Sequence, residues 1–344
     1  MTASTDRVGV LLPRDLPVDQ FVDFARRAED LGFDELWVVE DLGFRGGIAQ
    51  AATALAVTAR ITVGIGILPA AARNVVFAAM DVATLAQLHP NRLVVGIGHG
   101  MPGWMQQAGA WPSRPLSYLR EYTRALDTLL RGGRVTPGRY VTAAVEPLTE
   151  RPDQVPPIVL GVRGPKSLIA AGEIAAGVVL AEPASPQYIA ASLALVMSRR
   201  QSAAAPLVIT YDLAAVSDDP HAAHESVRPA LAVVGEPDWH PHIAPLPFAS
   251  DLAALRAESA DSDAFAARIP REWIPSLAIA GTVEDVRAGI AARHAAGATT
   301  VVLTPVGDDP LVSLDELARA LPESPAAQPS RRSPRDSRQV VDYL

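Results

Sequence analysis

The sequence predicts an α/β fold, a single parallel (β/α)8 TIM barrel with insertions, and three observations carry that expectation. Short apolar runs recur along the chain, as strands buried on both faces require. Between them lie stretches with apolar residues at helical spacing, so strand and helix alternate and the strands run parallel. Eight such runs can be traced, which favours a closed barrel over an open sheet. The 344 residues exceed the ~250 of a typical barrel, which leaves room for insertions.

The elements follow in order. Val8 to Leu12 is the first strand. Pro17 then opens a helix, at a position where its missing N–H costs nothing. Val18, Phe21, Val22, Ala25, Ala28 and Leu31 share one face of it, and Gly32 is its stop. Leu36 to Val39 is the second strand, 46–59 a small alanine-rich helix, Ile61 to Leu68 the third strand, 74–88 a helix and Leu93 to Ile97 the fourth strand. A helix over 116–130 carries Leu116, Leu119, Tyr122, Leu126 and Leu129 on one face. Residues 132–156, rich in proline, glycine and threonine, read as an excursion with a small hairpin. Strands at 157–161, 177–181, 207–213 and 300–303 complete the barrel, with helices at 165–175, 186–201 and 283–296. Residues 235–248 hold four prolines with Trp239, His240 and His242; too long and irregular for a connector, they are expected to form a lid. The segment beyond Pro322 is rich in proline, serine and arginine, so the expected organisation is one barrel domain over 1–321 and a disordered tail over 322–344.

Composition narrows the function. The apolar share of 49% supports a large core. No run approaches the ~18 apolar residues of a membrane helix, and Met1 to Arg7 lack the features of a secretory signal. With 30 basic and 38 acidic residues, net −8, the chain is no general nucleic-acid binder. It has no cysteine, which excludes disulfides, thiolate metal sites and thiol nucleophiles. The expectation is a cytoplasmic protein, bound to no membrane, that works on a small organic molecule as a homodimer. His221 with His224, and His240 with His242, have no carboxylate at ligand spacing, so no metal site is expected. No G-x-S-x-G elbow occurs.

Glycine-rich segments close several strands. Gly98-His99-Gly100-Met101-Pro102-Gly103 matches G-x-G-x-x-G formally. A dinucleotide fold needs a helix there and an acid at the end of a second strand ~20 residues on. Trp111, Pro112 and Pro115 intervene instead, and Glu121 falls inside a helix. Gly161-Val162-Arg163-Gly164-Pro165-Lys166-Ser167 fails the P-loop spacing because Pro165 separates Gly164 from Lys166. Gly164 as an N-cap with Pro165 at the first helical position reads better; such a helix start is either an anion site at the barrel rim or an ordinary cap. Gly64 and Gly66, inside the third strand, point to a close ligand or to a kink that packs a neighbour. Glu40 and Asp41 close the second strand at the rim where barrel enzymes keep their chemistry. Strand alternation lets only one of them face the mouth, and either can cap a helix. His99, between two glycines, is either a proton donor at the rim or a solvated loop histidine. Trp104 and Trp111 either wall an aromatic pocket or simply pack.

Taken together, these segments resemble the luciferase-like monooxygenase superfamily, and especially its branch that uses the deazaflavin coenzyme F420. The likeness runs over residues 8–305. It is carried by Glu35 to Asp41; by Val63 to Pro69 with Arg73 and Asn74; by Val95 to Gly100 with Trp104 and Met105; and by Gly161 to Ser167 with Ala171, Gly172 and Gly177. The resemblance implies a cofactor ring at the C-terminal mouth of the barrel. It implies a bulge with a non-proline cis peptide at Gly66-Ile67 behind the ring, and Asp41 at the polar ring edge. Gly98 and His99 would line the ring, His99 would manage the proton, and Gly161, Val162, Arg163 and Gly164 would bind the cofactor phosphate. Two departures stand out. His99 replaces an acid, and Glu182-Pro183 stand where sugar-phosphate-oxidising relatives place basic residues. The resemblance thus implies hydride transfer between F420 and an organic substrate, with catalytic His99 and Asp41. The alternatives are an FMN-dependent monooxygenase using reduced flavin and oxygen, and a non-catalytic flavin-binding protein.

Overall fold

The computed structural model describes residues 6–322, so all of the expected tail except Pro322 lies outside the described residues. The first half of the barrel is β1 (Arg7–Leu11), α1 (Phe21–Asp30), β2 (Glu35–Val38), α2 (Gly47–Val57), β3 (Thr62–Pro69), α3 (Val75–Leu88) and β4 (Leu93–Gly98). Then come α4 (Pro102–Gln107), α5 (Pro115–Leu130), β5 (Ile158–Gly161), α6 (Pro165–Ile174), β6 (Gly177–Leu180), α7 (Pro186–Met197) and β7 (Leu207–Val216). A helical insertion follows: α8 (Pro220–Val227), α9 (His240–Ile243), α10 (Ala249–Ala257), α11 (Ser262–Arg268) and α12 (Ile274–Leu277). The chain then returns through β8 (Ile279–Gly281), α13 (Val283–Ala295), β9 (Thr300–Pro305) and α14 (Pro310–Ala318).

Every strand pairing is parallel, in the order β6-β5-β4-β3-β2-β1-β9-β7-β8, and a β6–β7 pairing closes the barrel. The eight expected strands are its staves, with β9 between β1 and β7. The three-residue β8 was not expected; it pairs with the far end of β7, Ala214↔Ile279 to Val216↔Gly281, beyond the barrel wall.

Alternation along each strand sorts the side chains. Leu36, Val38, Val63, Ile65, Val95, Ile97, Val301 and Leu303 face the helices. Leu11, Trp37, Val94, Val159, Val179, Ile209, Tyr211 and Val302 fill the barrel. The insertion has a core of its own, built on Leu213, Val227, Leu231, Phe265, Ile274 and Leu277, which lets it stand as a helical cap. One polar contact joins β7 to its helix. Arg293 Nε donates to Asp212 Oδ1 at 2.9 Å, and Thr210 Oγ1 donates to Asp212 Oδ2 at 3.1 Å. Arg293 and Asp212 are completely buried.

Two local expectations are corrected. Pro17 leads into a 3-10 turn, Val18–Gln20, before α1, and Val18 is 76% exposed; Phe24 is buried in α1 in its place. The hairpin expected over 132–156 reduces to a single antiparallel bridge, Val135↔Val145. The 235–248 segment, expected as a lid, forms a 3-10 turn at Pro237–Trp239 followed by α9, and Pro237 and Pro241 sit in the first turns of these, where no N–H is needed.

Candidate active site

The strand ends converge on one mouth, and β2 shows how its side chains are chosen. Glu35 and Trp37 point into the barrel, where Trp37 Nε1 donates to Glu35 Oε2 at 2.8 Å and Thr300 Oγ1 donates to Glu35 Oε1 at 3.2 Å. The alternation continues past the strand. Glu40 turns outward, where its Oε2 accepts from Gly47 N at 2.7 Å and from Arg73 Nη2 at 2.8 Å. Glu40 is therefore the carboxylate at the start of α2, favoured there by the helix dipole. Asp41 turns to the mouth, near enough to act on Tyr211 and Glu182 electrostatically. Its Oδ2 accepts from Arg14 Nη1 at 2.9 Å.

The third strand carries the expected bulge. The Gly66–Ile67 peptide is cis, and the β3–β4 register shifts between Ile65 and Leu68. The two glycines make room for protein. A Cβ on Gly64 would lie 2.3 Å from the Trp37 ring, and one on Gly66 would lie 1.8 Å from Tyr211 Oη. Trp37 and Tyr211 meet edge to face there, with centroids 5.8 Å apart. Of the two readings of these glycines, packing of a neighbour is the one the barrel interior displays. Ile67, thrown out by the bulge, lies across Gly98 and Gly161, which face each other in the β4–β5 register. A Cβ on Gly161 would come within 2.4 Å of Ile67 Cγ2. The result is an apolar seat at the mouth, with Tyr211 Oη buried below it and without a hydrogen-bond partner.

His99 follows this seat. It is half-buried, and its Nε2 lies 3.4 Å from Ser167 Oγ in the first turn of α6. Burial pushes its pKa below the ordinary histidine value, so the imidazole is neutral at pH 7. Gly164 is the N-cap of α6 and Pro165 its first residue, as the sequence predicts. Val162 is buried in the outer core, so only its backbone faces the rim. Arg163 turns inward: its Nη1 donates to Asp238 O at 3.1 Å, and its guanidinium lies 4.8 Å from the Trp239 ring centroid.

That contact ties the 235–248 segment to the mouth as a strap. Trp239 Nε1 donates to Glu182 O at 3.0 Å, and His242 Nδ1 lies 3.3 Å from Pro183 O. His242 stacks on Tyr188 at 4.4 Å, and burial with Arg163 nearby pushes its pKa down to about 3. Trp104 and Trp111, offered as pocket walls by the sequence, are half-exposed. Glu182 is the mouth residue that sequence reading noticed only as a departure. Its carboxyl sits near Arg163, Asp212 and Asp41, and burial is the main force raising its pKa. The signal was available, since an acid just past a barrel strand is a rim residue. Among the described residues there is no group of three or more His, Cys, Asp or Glu side chains placed to hold a metal ion, and no helix is long and apolar enough to cross a membrane.

Comparison with known proteins places this geometry among relatives. The family model described as luciferase-like monooxygenase matches residues 2–300. A 5,10-methylenetetrahydromethanopterin reductase from Methanolobus tindarius is 24% identical over 301 residues, 85% of this chain and 92% of the relative. The structure of the coenzyme F420-dependent tetrahydromethanopterin reductase from Methanopyrus kandleri superposes with a TM-score of 0.78 at 22% identity, covering 92% of this chain and 98% of that one. The oxygenating constituent of 3,6-diketocamphane monooxygenase from Pseudomonas putida, solved with FMN, gives 0.69 at 16% identity, with 91% and 96% covered. At these identities the solved structures speak for the fold alone.

Proposed function

The chain belongs to the luciferase-like monooxygenase family, and from that membership we propose that it is an oxidoreductase moving hydride between coenzyme F420 and an organic substrate. The observation that carries the reading is the seat at the mouth. Ile67 lies against Gly98 and Gly161, and α6 starts at Gly164, three residues past the end of β5 at Gly161. A planar ring with a phosphate-bearing tail fits that arrangement: apolar support for the ring, helix N–H groups and a favourable dipole for the phosphate. The orphan hydroxyl of Tyr211 fits it as well, since a buried phenol without a partner is costly unless a ligand or water meets it. An F420-dependent glucose-6-phosphate dehydrogenase from Microbacterium testaceum, 31% identical over 182 residues, 49% of this chain and 54% of the relative, favours the deazaflavin over FMN.

In this reading Gly66, Ile67 and Gly98 support the ring, and Asp41 meets its polar edge. Gly161, Val162, Arg163 and Gly164 hold the phosphate end. Bound there, a deazaflavin supplies a ring carbon that exchanges hydride and reacts poorly with oxygen. His99 manages the accompanying proton, and Asp41 is the second candidate for that role. The protein's task is to fix the substrate over the ring face and exclude water.

Replacing Gly164 with leucine tests the phosphate placement. A Cβ at this position meets nothing within 4 Å, so the fold should tolerate it, at a cost of about 1 kcal/mol or less for the altered cap. Losing a charge-assisted hydrogen bond to phosphate costs ~1.5–3 kcal/mol, so F420 should bind ~10- to 100-fold more weakly by equilibrium titration. Unchanged affinity would remove the phosphate from this helix start. Oxygen uptake by protein loaded with reduced cofactor separates the readings: little is expected with F420, whereas rapid uptake with reduced FMN would favour the monooxygenase.

A further inference from the structure

We infer that the outward face of α2 and α3 is an interaction surface, and that its partner is a second copy of this chain. The contact centres on a line of apolar side chains along α3. It stands on the composition and exposure of these two helices and does not depend on the cofactor reading.

α3 is apolar on both sides. Ala78, Ala79, Val82, Leu85 and Ala86 are buried on the side that faces the barrel. Phe77, Met80 and Leu88 are 65%, 49% and 67% exposed, and Thr84 is exposed between Met80 and Leu88. Spacings of three and four residues put these four on one line along the helix. A helix that is apolar all round is normally covered all round, yet this side faces solvent. Phe77 alone leaves ~100–160 Å² in water. Monomers rarely keep a contiguous apolar patch beyond a few hundred Å². α2 packs beside α3 and continues the face, with Ala49, Thr53 and Ala56 as its exposed positions.

Charge identifies the partner. α2 and α3 hold 11 and 14 residues, and Asp81 is their one charged side chain, although 20% of the whole chain is charged. Two copies, each at net −8, repel wherever their charges meet. In a two-fold contact a patch meets itself, so a face with a dominant charge opposes its own copy. This face has almost no charge to oppose. Homodimer interfaces are the class whose centre is apolar and poor in charge, with aromatic residues and methionine enriched. A membrane surface calls for Lys or Arg beside the apolar line, whereas the one charge here is an acid. α7 also lacks charged residues, but its exposed positions are Gln187, Ala190, Ala191 and Ala194, with Met197 only at its last residue.

The size of the face agrees. At the rise of an α-helix the two helices are ~16 and ~21 Å long. Side by side they have room for the apolar centre of an interface of ~800 Å² per partner. They precede and follow β3 in the chain, so the contact lies on the outer wall of the barrel and leaves the mouth open.

Sedimentation of the full chain at micromolar concentration should give twice the 36.3 kDa of one chain. Phe77→Asp and Leu88→Asp each place a carboxylate in the contact twice. Each should raise the dimer dissociation constant by at least ~30-fold, the scale of an interface hot spot. Both positions are open to solvent, so circular dichroism should show a wild-type fold. Met197→Asp, on α7, should leave the dimer intact. The chain has no cysteine, so Met80→Cys and Thr84→Cys each supply a single thiol. A short bismaleimide should join two copies through at least one of them, and not through Met197→Cys. The inference is overturned by a wild type that stays monomeric, by a dimer that both aspartate variants leave unchanged, or by thiols that join copies at neither α3 position. Removing residues 323–344 tests the other occupant within the chain. A monomer that dimerises only after that removal would overturn the inference in favour of the tail as the cover of this face.

Discussion

Replacing His99 with alanine should lower turnover by ~10²–10⁴-fold, the usual contribution of a positioned proton carrier, while F420 affinity changes little. The flanking residues are Gly98 and Gly100, and the polar contact of the ring is a long 3.4 Å approach to Ser167 Oγ, so truncation removes little packing. The pH profile is the sharper readout. Burial lowers the imidazole pKa, so its titration falls below the ordinary ~6.5. In the reduction direction His99 must carry a proton, and the rate should fall as pH rises through that lowered value. In the oxidation direction the neutral ring must accept one, and the rate should rise through the same value. The alanine variant should lack this limb in both directions. Near-normal rates with an unchanged profile would remove His99 from proton transfer, and Asp41 would be tested next.

Asp212→Ala should destabilise the barrel by about 3–5 kcal/mol, because it leaves Arg293 charged and buried without its partner. The pair lies between β7 and α13, on the outer face of the barrel wall. The folded fraction should therefore bind cofactor as wild type does. Urea denaturation followed by circular dichroism gives the stability change, and equilibrium titration below the transition gives the affinity. Replacing both members of the pair with apolar residues of similar volume should recover much of the loss, since two desolvation penalties vanish together. A single variant within about 1 kcal/mol of wild type would mean that Arg293 finds another acceptor or water.

The barrel was legible because its signal is repeated. The eight staves are apolar runs, and helical periodicity between them fixes the parallel direction. What escaped had weak local signals. β8 is three residues long, shorter than any period-two pattern can register. α4 begins at Pro102, inside a segment that was weighed only for its glycine motif. The insertion buries its helices mostly against one another, in a satellite core that no single periodic stripe announces. At the site, the N-cap at Gly164 was legible because a Gly-Pro pair after a strand marks a helix start, whereas the pairing of Gly98 with Gly161 is set by the β4–β5 register. The division of labour between Glu40 and Asp41 needed the structure, since alternation says only that they differ. Glu182 was missed for the same reason: its character comes from Asp41, Asp212 and a strap more than fifty residues away in the chain.

The most direct test of the account is a spectroscopic titration of the purified protein with F420 and, in parallel, with FMN. The account predicts saturable F420 binding, tighter than FMN by at least about tenfold, a difference of ~1.4 kcal/mol. Tight binding of FMN with no saturable binding of F420 would contradict it.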